Sequence, residues 1–162
     1  MTDAIGSPAA AVLDAARARL SGAPREALGD WASSRRLLGI GRAPRIVRVG
    51  EAWHLGVLLL GDDAVHATGE VLRAREDVVR GFTAESQRAR AERAAAAFRG
   101  GFAEGESVHI GWSTIDLGAV AAGGASGPLS VVDGIPVVRW STGAAVRPFV
   151  DYVEDQLALL GR

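Results

Sequence analysis

The sequence predicts a single α+β domain over residues 1–162, in which an antiparallel sheet of about five or six strands carries N-terminal, middle and C-terminal helices on one apolar face. Three observations point there. Apolar residues recur at helical spacing at both ends and in the middle of the chain, and runs of period-two spacing lie between them. Asp133 and Gly134 separate two such runs, and that pair suits a tight hairpin turn.

The first 43 residues read as a helical segment. Ser7 before Pro8 is an N-cap followed by a first-position proline, and Gly22 supplies a stop after Leu20. Ala9, Val12, Leu13, Ala16 and Leu20 then share one side. A second helix is expected over residues 24–38, with Leu28, Trp31, Ala32 and Leu38 inward and Gly39 ending it, although Gly29 weakens its interior.

Residues 44–75 read as a three-strand antiparallel meander. Its register follows from keeping one face apolar, since a one-residue slip exchanges the faces. Three-residue loops at Gly50, Glu51, Ala52 and at Gly61, Asp62, Asp63 satisfy this, pairing Val49 with Trp53 and Leu59 with Val65. The opposite face then carries Arg48, His54 and Glu70 side by side. These three are the candidate catalytic residues: a carboxylate orients an imidazole and raises its pKa, and an arginine holds an anion or oxyanion. The structural alternative is a cross-strand ion pair with His54 filling the space between.

A helix over residues 83–99 follows, with Thr83 as its N-cap and Ala84, Ala91, Ala94, Ala95 and Phe98 inward. Residues 107–140 hold further strands: one over 107–112, then the hairpin centred on Asp133-Gly134. Pro136 cannot donate to a ladder, so its nitrogen is expected at a sheet edge or bulge. Pro148 opens a last helix over residues 148–160, on which Phe149, Val153, Leu157 and Leu160 share a face.

Composition excludes several chemistries. All 18 basic residues are arginine and there is no cysteine, so a Schiff-base lysine, a Ser-x-x-Lys pair, a P-loop lysine, a thiol nucleophile and a disulfide are all ruled out. The glycines between 118 and 126 resemble a P-loop in outline, but Gly124 stands where the lysine is required. Ser113 lacks the second glycine of a nucleophile elbow, because Ile115 occupies that position. His54, His66 and His109 match no metal-ligand spacing, so neither a metal nor a cofactor is expected. With no long apolar run and no leader pattern at the start, a cytoplasmic chain free of membrane is expected.

Charge is uneven. Residues 1–48 hold eight arginines and four acids, a net of +4, and the remainder carries −5. That asymmetry suits nucleic acid in principle, but no aromatics interleave the arginines, and docking within the chain is the favoured explanation. The expected partner is therefore a protein or a second copy of the chain, and nucleic acid is disfavoured.

The succession WHLGVLLL, ATGEVLRA, AAAAFRGGF, a GPL strand, an Asp-Gly turn and VVRWS, covering residues 44–160, resembles a group of small, largely uncharacterised proteins of high-GC actinobacterial genomes, some of which carry a glutaminase label. The resemblance implies amide hydrolysis. It transfers no catalytic residue, because the serine-lysine and cysteine nucleophiles of known glutaminases are absent. Two readings stand beside it: a non-catalytic domain acting through a partner, and nucleic-acid binding through the N-terminal arginines.

Overall fold

The computed structural model describes residues 7–33, 43–76, 81, 84–143 and 145–161, and its class is α+β. In chain order the elements are α1 (Pro8–Leu20), β1 (Glu26–Trp31), β2 (Ile46–Leu55), β3 (Leu58–Leu60), β4 (Val65–Ala67), β5 (Glu70–Arg73), α2 (Glu85–Arg99), β6 (Ser107–Ile110), β7 (Ser113–Thr114), α3 (Leu117–Ala121), β8 (Leu129–Val132), β9 (Ile135–Arg139), β10 (Val146–Pro148) and α4 (Phe149–Leu160). Among the described residues, no helix is long and apolar enough to cross a membrane. The chain divides into two compact units, one of Met1–Arg25, Ala52–Thr68 and Ser113–Arg162, the other of Glu26–Glu51 and Gly69–Trp112.

The first unit forms around α1 and α4. Ser7 Oγ accepts the Ala10 N–H at 3.2 Å, satisfying one of the orphan donors of the first turn of α1. The helix then buries Ala9, Leu13, Ala16 and Leu20 with Phe149, Tyr152, Val153 and Leu157 of α4 and with Leu55, Leu58 and Leu60 of the strands. Within this unit the strands run in the order β2, β3, β4, β7, all antiparallel, and β10, β9, β8 form a separate three-stranded sheet.

The expected loop at Gly50, Glu51 and Ala52 does not form, and β2 runs straight through it. The chain turns instead at Gly56 and Val57, where Gly56 takes φ +64°. Trp53 accordingly pairs with Leu60 and Leu55 with Leu58. Leu60, not Leu59, pairs with Val65 across a loop closed by the Gly61 N–H and the Ala64 carbonyl at 2.9 Å. The reason is that Leu58, Leu59 and Leu60 are all buried. With both faces of β3 covered, an argument that needs one polar face has nothing to distinguish the registers.

The Asp-Gly hairpin forms as expected, with φ +50° at Asp133 and +78° at Gly134 and Val132 paired with Ile135. Pro136, however, lies in the central strand of its sheet and pairs with Val131. In a two-residue hairpin that pair does not exchange hydrogen bonds, so the proline nitrogen faces β10, which has already ended opposite Val137.

The second unit has the strand order β5, β6, β1, β2, in which β1 runs parallel to β6 and β5 antiparallel to it. Residues 26–31 are therefore a strand, where a helix over 24–38 was expected; residues 34–38 of that helix lie outside the described residues. Gly29 explains the difference, because a Cβ there would come within 2.7 Å of Val108 and 2.8 Å of Ile46, so the strand packs only where no side chain intrudes. Trp31, expected inward, is half exposed.

β5 pairs with β6 and not with β4, which removes the third strand of the expected meander. On this sheet lies α2, which buries Ala94 to Ala97 and packs Ala96 and Ala97 with Ile46, Leu72, Val108 and Ile110. The expected cap Thr83 falls outside the described residues, and the helix begins at Glu85 after Ala84. Small side chains let helix and sheet approach so closely that a methyl group on Gly100 would overlap the Ile46 carbonyl.

Candidate functional site

The three residues expected in one row hold separate partners. Arg48 donates to both carboxylate oxygens of Glu106, at 2.6 and 2.9 Å, and its guanidinium lies 5.1 Å from the Phe102 ring centroid. Glu70 accepts from Arg93 at 2.8 and 3.0 Å and from Arg90 at 3.0 Å, which ties β5 to α2. Within the second unit β6 and β1 separate the strands of Glu70 and Arg48. His54, in the first unit, directs Nε2 at the Gly56 carbonyl oxygen at 2.9 Å and so donates an N–H to the turn it precedes. The row depended on a β4-β5 meander that does not form.

Each unit holds another histidine with a side-chain partner. In the first, His66 Nδ1 lies 3.0 Å from Thr114 Oγ1, across the β4-β7 pair, and partial burial holds the imidazole pKa below its ordinary value. In the second, His109 is fully buried and its Nε2 hydrogen-bonds the carboxylate of Glu26, whose side chain is 40% exposed. The parallel β1-β6 ladder, pairing Ala27 with Val108 and Leu28 with His109, sets these two side chains close. No local signal points to the contact, since 83 residues separate the partners. Its chemistry is that of an accessible carboxylate backed by an oriented imidazole, a pair suited to proton transfer, and both atoms are of the type that ligates zinc.

The N-terminal arginines of the first unit are used internally. Arg19 grips Glu154 of α4 through two contacts at 2.7 and 2.8 Å. Arg17 donates to the Gly61 and Ala64 carbonyls at 2.8 and 3.3 Å and pairs with Asp14. Arg25 hydrogen-bonds Asp62 at 2.6 Å and lies 3.9 Å from the Trp53 ring centroid. That hydrogen bond holds the Asp62 carboxyl below its usual range. Arg35, Arg36 and Arg42 lie outside the described residues.

A pocket of about 290 Å³ in the first unit is lined by Ser7, Pro8, Ala9, Val120, Val131 and Pro136 among others. Its Ser7 hydroxyl already caps α1, so the wall lacks the convergent polar groups that orient a small ligand.

The three-stranded sheet of the same unit has a more distinctive surface. Pairing of Leu129 with Val138 and Val131 with Pro136 turns that set toward the core, where Leu129 and Val138 are buried with α1 and α4. The alternate set, Val132, Ile135, Val137, Val146 and Pro148 with Ser130 and Arg139, forms the outer face. Antiparallel sheets ordinarily present polar residues there. Here Val132 is 47%, Ile135 56% and Val146 41% exposed, and Trp140, just past β9, is 47% exposed, while Val137 in the central strand is covered, at 6%. The sequence does not mark this face, because Asp133 and Gly134 set the turn without showing which side of the hairpin is covered. Comparison with protein-family models, with curated proteins and with solved structures gives no match for the chain.

Proposed function

We propose that this chain acts through a protein partner, and that the outer face of β8, β9 and β10 is the contact surface. The observation that carries the reading is an antiparallel sheet apolar on both sides, with Val132, Ile135 and Val146 each about half exposed. Completing the burial of three such side chains is worth about 1 kcal/mol each, half of the full value for a core aliphatic. Ile135→Asp is expected to weaken partner binding at least tenfold, since it removes that contact and adds a charge to be desolvated. The test is affinity capture with the native chain and the variant at equal melting temperature. Proteins retained by the first and lost by the second support the reading, and identical capture profiles end it.

A second reading, hydrolysis of an amide, is favoured by the Glu26 and His109 pair, which supplies an exposed carboxylate backed by a buried imidazole. Ammonia release from glutamine tests it. Turnover that falls at least a hundredfold in Glu26→Gln supports the pair as the acid-base centre, and no turnover by the native chain removes the reading.

A further inference from the structure

We infer that the occupant of this outer face is a second copy of the chain, packed face to face about a two-fold axis. The inference rests on the reading that the face binds protein. What selects a second copy is the placement of charge. β9 has one cation at its far end, Arg139, and one anion in the turn before its near end, Asp133; both are exposed, and neither forms an ion pair among the described residues. Between them the outward positions are Ile135, which is 56% exposed, and Val137, which is already covered and only 6% exposed. A two-fold axis lying in the contact plane and crossing β9 near its middle reverses the strand direction. It therefore brings Arg139 of each copy over Asp133 of the other and sets the exposed Ile135 of each copy at the centre, against the surface that covers Val137 of the other. An isologous contact demands this arrangement of opposite ends around a self-complementary centre.

Size sets the strength. From Ile135 to Arg139 the strand advances four steps of roughly 3.4 Å, and three strands about 4.8 Å apart span a similar width, so the face covers roughly 200 Å². A stable dimer buries about 800 Å² per partner. The contact therefore belongs at the transient end, with a dissociation constant on the order of 100 μM. Sheet packing at about 10 Å leaves each arginine within reach of the opposing carboxylate.

Sedimentation velocity of the purified chain from about 5 μM to about 1 mM tests the arrangement, with circular dichroism melts to confirm that each variant is folded. The expected result is a reversible monomer-dimer equilibrium, abolished by Ile135→Asp and weakened roughly tenfold by Arg139→Asp, which turns two attractions into two repulsions. In the double variant Asp133→Arg with Arg139→Asp, association returns to within about threefold of the native value, because the symmetry exchanges the two ends. A chain that stays monomeric at 1 mM, association that survives Ile135→Asp, or a charge swap that fails to restore it overturns the inference. If the chain is monomeric yet still captures a partner through Ile135, the second copy is excluded and the protein-binding reading survives; if Ile135 affects neither measurement, both fall.

Discussion

Tyr152→Phe isolates the device that shapes the β2-β3 turn. The Tyr152 hydroxyl accepts the Val57 N–H at 2.8 Å and donates to the Leu55 carbonyl at 3.3 Å, and the residue is only 4% exposed. Removing that oxygen takes the partner from the Val57 N–H and from the Leu55 carbonyl in a partly buried turn, at a cost of about 2 kcal/mol. For a chain of this length that corresponds to a fall in melting temperature of roughly 4 to 8 °C. Gly56→Ala attacks the same point from the other side: it places a methyl group on the Tyr152 oxygen while holding alanine at φ +64°. Displacing the hydroxyl loses the same two hydrogen bonds, about 2 kcal/mol, and the left-handed conformation adds about 1 kcal/mol more. The double variant should therefore cost about 3 kcal/mol, well short of the roughly 5 kcal/mol sum of the single changes, because each single change already breaks the same bonds. Chemical denaturation of the four proteins measures the cycle. Strict additivity, or a Tyr152→Phe melting temperature within 1 °C of native, would refute the assignment of the clamp.

Two further outcomes follow from the packing and from the titrating groups. Gly100→Ala is expected to destabilise by about 3 kcal/mol or more, since the new methyl meets the backbone of Ile46, which has no rotamer to yield; a loss below 1 kcal/mol in a urea titration would show that α2 can shift on its sheet. His66 has a folded-state pKa below its unfolded value, so the unfolded chain takes up a proton first as the pH falls. Its contribution to stability is therefore constant above about pH 6.5 and declines as the pH falls from there through the folded-state pKa. His66→Gln should flatten that part of a melting-temperature profile, and an unchanged slope would remove His66 as its source.

The ends of the chain were legible because their signals are local. Ser7 and Pro8 start α1, Asp133 and Gly134 make the tight turn, and Pro148 precedes α4, each through the conformational demands of a few neighbouring residues. The middle was not, because its determinants are distant in sequence. Gly29 looks like a flaw in a helix until Val108 and Ile46 are placed against it, and nothing within ten residues reveals that neighbourhood. The Arg48, His54 and Glu70 row failed for a related reason: β5 pairs with β6, a strand formed more than thirty residues later. The expectation that the N-terminal arginines dock on the acidic remainder of the chain matches what Arg19 and Arg25 do with Glu154 and Asp62, acids already countable in the charge imbalance, whereas the carbonyl partners of Arg17 leave no trace in any count of charge.

The fork of Arg17 has a consequence for how the molecule acquires its order. One guanidinium reaches the carbonyls on both sides of the Asp62-Asp63 loop, from a helix 44 residues earlier in the chain. A hairpin of β3 and β4 can close early, since its contacts are local and the Gly61 N–H already bonds the Ala64 carbonyl, but the guanidinium that joins the two carbonyls comes only when α1 arrives. The helix thus behaves toward the hairpin as a tethered ligand, and the protection of the loop amides from hydrogen exchange reports the docking of α1.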